Sequence, residues 1–257
     1  MFDSFRKFFF TQKKEIAMLP PEKLREHVGD GDFELLGNIY LDFFKTIGEL
    51  KPDMNVLDIG CGSGRMAIPL TKYIDKNFRY EGFDVSKECI MWCKENITSR
   101  YPNFTFQHVD IFNTFYNPNG TIKPENFKFP YNSNSFDFVY LTSIFTHMLP
   151  DDMEQYFSEI TRVLKKGGRC FITYFIINQE SLECIRQKKS SITFFLIKDG
   201  FYSTAKDIPE RVIAYDEEFL RKLYTKYGLI LNEPIHFAKW CGREDGINGQ
   251  DIIVATK

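Results

Sequence analysis

The stretch Val56-Leu57-Asp58-Ile59-Gly60-Cys61-Gly62-Ser63-Gly64-Arg65 decides the reading of this chain: a short, mostly apolar run leads into three alternating glycines. Glycine has no Cβ, so Gly60, Gly62 and Gly64 let the backbone turn sharply at the end of a strand and let a ligand lie against bare peptide groups. That is the arrangement of a cradle for a nucleotide-type cofactor. A dinucleotide fingerprint of the G-x-G-x-x-G type places its third glycine at position 65, where this chain has Arg65. The loop therefore suits a cofactor with an adenosine moiety and no pyrophosphate.

Working outward, Leu36, Ile39, Phe43, Phe44 and Ile47 recur every three or four positions and predict an amphipathic helix over 33–50, ahead of the loop. Downstream, strands over 55–59, 80–84, 104–109, 136–141 and 169–175 alternate with helices over 65–73, 87–97 and 151–164. Ser86 is the N-cap of the second of these helices, and Gly167-Gly168 ends the third. Such alternation predicts a parallel sheet with helices on both faces. Residues 176–210 show no clear helical period and read as a lid or substrate-recognition insertion, with Phe194-Phe195-Leu196-Ile197 as a short strand. A helix over 216–227 precedes two strand-like runs, 229–240 and 250–256, expected to form an antiparallel hairpin. The expected fold is α/β: a doubly wound, mostly parallel seven-stranded sheet with an antiparallel C-terminal hairpin. One domain over 1–257 is expected, with an N-terminal helical extension over 1–50.

Composition narrows the function classes. The 257 residues carry 33 Lys plus Arg against 35 Asp plus Glu, a net charge of −2, so nothing draws the chain in bulk to nucleic acid or anionic membrane. A small-molecule substrate is favoured. Six cysteines without a C-x-x-C pair predict free thiols, no metal site and a reducing, cytoplasmic compartment. No apolar window is long enough for a transmembrane helix. The aromatic start, with Phe2, Phe5 and Phe9 among Arg6, Lys7, Lys13 and Lys14, reads as a segment folded onto the core or a homo-oligomer contact, or as a short interfacial helix.

Cofactors on open parallel sheets bind beyond the carboxyl ends of the strands, and four strand ends here supply a coherent set. The first is the glycine loop with Asp58 before it. The second is Asp84-Val85, 24 positions after Gly60, near the spacing at which an acidic residue takes ribose hydroxyls. The third is Asp110-Ile111, a carboxylate for an exocyclic adenine amine beside an apolar side chain for the ring. The fourth is Thr142-Ser143-Ile144-Phe145-Thr146-His147.

With VLDIGCGSGR at 56–65, GFDVS at 82–86, Asp110-Ile111 and RVLKKGGRCFITYF at 162–175, the chain resembles the class I S-adenosylmethionine-dependent methyltransferases over about residues 35–175. The resemblance implies their Rossmann-like fold and S-adenosylmethionine as cofactor. It sets Asp58, Gly60 and Gly62 near the methionine part, Asp84 at the ribose, and Asp110 and Ile111 at the adenine, with Cys61, Arg65 and Val85 as further cofactor-binding residues.

Methyl transfer from a sulfonium asks the protein chiefly to align a nucleophile and exclude water. A base is needed only if the acceptor must lose a proton, and His147, after the fourth strand, is the candidate. Tyr174 at the end of the fifth strand, with Trp240 and Arg243 in the hairpin, is a candidate for contact with the acceptor. His27, in the segment before the first helix, fits a lid over the cofactor, and Arg25 a partner for its carboxylate. The expected reaction is methylation of a small-molecule oxygen or nitrogen nucleophile. The alternatives are a nicotinamide-dependent oxidoreductase, against which Arg65 argues, and a non-catalytic cofactor-binding partner protein.

Overall fold

In the computed structural model, residues 18–257 are described; the Phe-rich start lies outside them. A short helix α1 (Glu22–Glu26) is followed by a turn and α2 (Phe33–Thr46), whose N-terminus is capped by the Asp32 carboxylate accepting from the Leu35 N–H. There follow β1 (Val56–Ile59), α3 (Ala67–Leu70), β2 (Tyr80–Asp84), α4 (Lys87–Cys93), β3 (Phe104–His108), β4 (Phe136–Leu141), α5 (Pro150–Val163) and β5 (Leu164–Tyr174). Ser86 caps α4 by accepting from the Cys89 N–H.

These strands form the expected sheet. With β10 (Ile230–Leu231) and β11 (Asp251–Thr256) the order is β10-β11-β5-β4-β1-β2-β3. β1 lies between β2 and β4 and is parallel to both, while β11 is antiparallel to β5 and β10. All four residues of β1 are buried, as a central parallel strand requires. Alternate side chains enter opposite cores: Leu57 and Ile59 pack with Phe83, Phe145 and Ile172, and Val56 packs with Phe44, Tyr80 and Tyr140. Asp58 shares the face of Val56, which decides its partners.

Three local expectations are corrected. The helix after the glycine loop is the four residues of α3 and not 65–73. The strand expected over 229–240 is only β10; Pro234 has no N–H for a ladder, and residues 232–250 run as a loop with a 3₁₀ turn at Lys239–Cys241. The segment 176–210, expected to lack a helical period, holds a helix: β6 (Ile176–Ile177), α6 (Gln179–Arg186), β7 (Phe195–Lys198, near the expected short strand) and β8 (Phe201–Ser203) lead to β9 (Ile213–Asp216) and α7 (Glu217–Lys226). α6 opens on a reciprocal cap between Asn178 and Ser181. β6, β9, β8 and β7 form a second sheet, in which β6 pairs in parallel with β9.

Asp251 ties the two sheets together. Its buried carboxylate accepts from the Ile176 N–H (2.7 Å), the Ala238 N–H (2.6 Å) and the Trp240 indole N–H (2.8 Å). All six cysteines are buried and unpaired. Among the described residues no helix is long and apolar enough to cross a membrane, and no cluster of His, Cys, Asp and Glu has a metal-binding arrangement.

Candidate active site

A cavity of about 870 Å³ opens at the carboxyl ends of β1, β2 and β4. Its floor is the glycine loop. The N–H groups of Gly60 and Cys61 both donate to the Phe83 carbonyl, at 2.9 and 3.0 Å, which fastens the loop to the end of β2. Gly60 has φ +80°, and a Cβ there would stand 2.1 Å from Ile144 Cδ1; at Gly62 a Cβ would stand 2.3 Å from Val28 Cγ1. The loop is thus roofed by Ile144 from the β4 end and by Val28 from a strap formed by residues 27–30.

Asp84 secures this arrangement. Its Oδ2 accepts from the Gly62 N–H (2.8 Å) and its Oδ1 from the Ser86 N–H (2.7 Å). Burial raises its pKa, and the two amide bonds pull it back. Asp58, 1% exposed, accepts on Oδ2 from the hydroxyls of Tyr80 (2.5 Å) and Tyr140 (2.8 Å). Burial pushes its carboxyl up to about 7 against those two bonds. Gly60, Cys61, Gly62, Arg65, Val85 and Ile111 also line the cavity. The Arg65 guanidinium is occupied by the strap, donating to the carbonyls of Val28 and Gly29.

His147 ends the 3₁₀ turn Phe145–His147 and lines the cavity. Its Nδ1 is 3.1 Å from the Glu210 carbonyl oxygen. A carbonyl only accepts, so Nδ1 carries the hydrogen and the lone pair of the neutral ring is on Nε2. Burial lowers the His147 pKa, which keeps the ring neutral at neutral pH.

A family model, described as a methyltransferase domain, matches residues 50–225. The chain belongs to that family. It is 24% identical over 181 residues to the tRNA(Thr) (cytosine(32)-N(3))-methyltransferase of Saccharomyces cerevisiae, a match covering 70% of this chain and 26% of that protein. This chain spans between 26% and 36% of the length of the curated relatives it matches. In structure it resembles a SAM-dependent methyltransferase from Methanosarcina mazei, with a TM-score of 0.54 and 21% identity, over 82% of this chain and 95% of that one. It also resembles 1,6-didemethyltoxoflavin-N1-methyltransferase from Burkholderia thailandensis, with a TM-score of 0.55 and 15% identity, over 91% and 81%. These two likenesses concern the fold, which is that of the Rossmann-like methyltransferases.

Not every expected site residue of this methyltransferase lines this cavity. The Asp110 carboxylate accepts from the Thr121 hydroxyl (2.6 Å), the Thr121 N–H (3.2 Å) and the Asn117 amide (3.2 Å), and faces a smaller neighbouring cavity. The loop after β3 doubles back, bridging Ile111 to Ile122, and delivers those donors. Tyr174 is buried in the core, its hydroxyl 3.0 Å from that of Tyr224 on α7, and does not reach the cavity. Trp240 packs edge-on against Phe175 and Phe194 and bonds Asp251, while Arg243 pairs with Glu180 at 2.8 Å; both brace the second sheet. His27 lines the cavity, and Arg25 does not.

Sequence reasoning did not single out Asp152, Tyr156 or Gln250, and named Ser143 only as part of the fourth strand end; all four line the cavity. Ser143 holds a left-handed φ of +61°, unusual outside glycine. Its N–H donates to Thr173 Oγ1 (2.8 Å) and its hydroxyl to Gln250 Oε1 (3.1 Å), which anchors the residues between β4 and His147.

Proposed function

We propose that this chain transfers the methyl group of S-adenosylmethionine to a small-molecule oxygen or nitrogen nucleophile. The observation that carries the reading is Asp84. A carboxylate offers about four lone-pair sites, and the two loop amides take one on each oxygen, which leaves one per oxygen for the two hydroxyls of a ribose. The fit extends along the cavity: bare loop backbone at Gly60 to Gly62, Asp58 for a cationic group, and Val85 with Ile111 as apolar flanks for a ring. When bound, the cofactor supplies a methyl group already activated on a sulfonium. Arg65 and the strap shield that region from water, and His147 Nε2 accepts a proton from the nucleophile as it attacks. Titration calorimetry tests the reading: S-adenosylmethionine and S-adenosylhomocysteine bind saturably, and NAD does not. Binding of NAD with no binding of either sulfur compound overturns it.

Affinity for the cofactor product depends on pH through Asp58. The free carboxyl titrates at about 7, and an ammonium beside it favours the ionised form, so its pKa falls on binding. Affinity for S-adenosylhomocysteine therefore drops as pH falls from 8 through 7 to 6. Tyr80→Phe moves that transition to higher pH, because it removes a hydrogen bond to the carboxylate. Calorimetry across this range checks it; a flat profile removes Asp58 from the ligand's charged group.

A further inference from the structure

The cavity extends past the cofactor cradle to a wall that the ends of β1 and β2 do not build. Asp152 comes from the first turn of α5, Glu210 from the 3₁₀ turn Pro209–Arg211, and Glu125 from the 3₁₀ turn Pro124–Asn126. Among the described residues lining the cavity, six are carboxylates (Asp30, Asp58, Asp84, Glu125, Asp152 and Glu210) and only Arg65 and Lys123 are Arg or Lys. Both cations are engaged, Arg65 by the strap carbonyls and Lys123 by Glu125 at 3.6 Å. The wall thus carries uncompensated negative charge.

An acidic residue in the first turn of a helix is ordinarily there for the helix dipole. Asp151 meets that need from outside the cavity, while its neighbour Asp152 lines it. A second observation is independent of charge. Thr146 lines the same cavity, is 1% exposed, and has a buried hydroxyl with no hydrogen-bond partner. Such a group is destabilising unless a ligand or water completes it. Tyr156 follows Asp152 by one helical turn, so an aromatic ring shares the carboxylate's face of α5.

We propose that this wall binds a protonated amine carried by the methyl acceptor, with the ammonium held by Asp152 and Glu210 and the Tyr156 ring beside it. An N–H donor of that acceptor completes Thr146 Oγ1. The proposal rests on the methyltransferase reading above and narrows its acceptor to a cationic small molecule. The groups that act on or feel the Asp152 charge are Glu125 from one 3₁₀ turn, Glu210 from another, Asp151 on its own helix, and the hydroxyls of Tyr156 and Tyr215, while Lys123 and His147 line the same cavity. Burial, with Glu125, Asp151 and Glu210, pushes the Asp152 carboxyl up to about 6, the response of a carboxylate crowded by its own sign. A bound cation relieves that crowding.

The test is calorimetry on the full chain saturated with S-adenosylhomocysteine, using three probes of matched shape: phenethylamine, 2-phenylethanol and phenylacetate. Phenethylamine is expected to bind about tenfold tighter than the other two. Asp152→Asn and, separately, Glu210→Gln each weaken the amine by about tenfold while leaving S-adenosylhomocysteine affinity in place. Amine affinity rises with pH through about 6 in the parent chain, as Asp152 ionises, and loses that dependence in Asp152→Asn. Equal binding of amine and alcohol, preference for the carboxylate, or amine affinity unchanged in both variants overturns the proposal. Failure of the parent chain to bind S-adenosylhomocysteine, seen before any probe is added, overturns the methyltransferase reading and this proposal with it.

Discussion

Replacing His147 with alanine lowers turnover by about 10²-fold or more and leaves S-adenosylhomocysteine affinity nearly unchanged, the signature of a lost general base. The expectation rests on the tether between Nδ1 and the Glu210 carbonyl, which fixes both ring orientation and tautomer and leaves the Nε2 lone pair free. Its pH dependence has a definite sign. Burial lowers the His147 pKa below its usual value of 6.5, so the rate climbs as pH rises through a value below 6.5 and is flat by neutrality. The variant loses that limb of the profile. Steady-state kinetics with S-adenosylmethionine and a turned-over acceptor measure both quantities. A full-rate variant removes His147 from the chemistry and leaves it as the contact that fastens the Glu210 turn.

Asp84→Ala weakens cofactor binding by about 1–3 kcal/mol, which is roughly one to two orders of magnitude in affinity. Two losses combine: the ribose acceptor disappears, and the Gly62 and Ser86 N–H groups lose their shared partner. Asparagine is no remedy, although it matches the shape. Its side chain has one acceptor oxygen and one donor nitrogen, so one of the two amides faces another donor. Asp84→Asn therefore falls close to the alanine variant in calorimetry, and both melt earlier than the parent chain. Unchanged S-adenosylhomocysteine affinity in both variants places the ribose elsewhere.

The parts of this fold that were legible in the sequence are those in which neighbouring residues decide the outcome. The run from Val56 into Gly60 marks a strand and a turn at once, and Asp84 follows from a spacing fixed by one strand–helix–strand unit. Asp110 lies at the expected strand end, but its partners, Asn117 and Thr121, reach it through a fold of the following loop that no local pattern announces. Tyr174 sits at the expected strand end, yet its hydroxyl meets Tyr224 from a helix 50 residues away. The second sheet was hidden for the same reason: Ile176 and Ile177 pair with Tyr215 and Asp216, across an intervening helix and hairpin. Asp152 gave the ordinary signal of a helix start, and only the cavity separates it from Asp151.

The strap over the glycine loop is fastened lightly. Arg65 holds two of its carbonyls, and the ion pair between Lys23 and Glu88 (2.8 Å) is exposed on both sides, where solvent and salt screen it. A ligand seated beneath Val28 adds contacts to the strap, so occupancy and strap closure rise together. Lys23 and Arg25 both lie in α1, where trypsin cuts once the helix opens. The chain thus carries its own gauge of loading: the rate of proteolytic nicking at these two residues falls in step with the fraction of molecules that hold the cofactor.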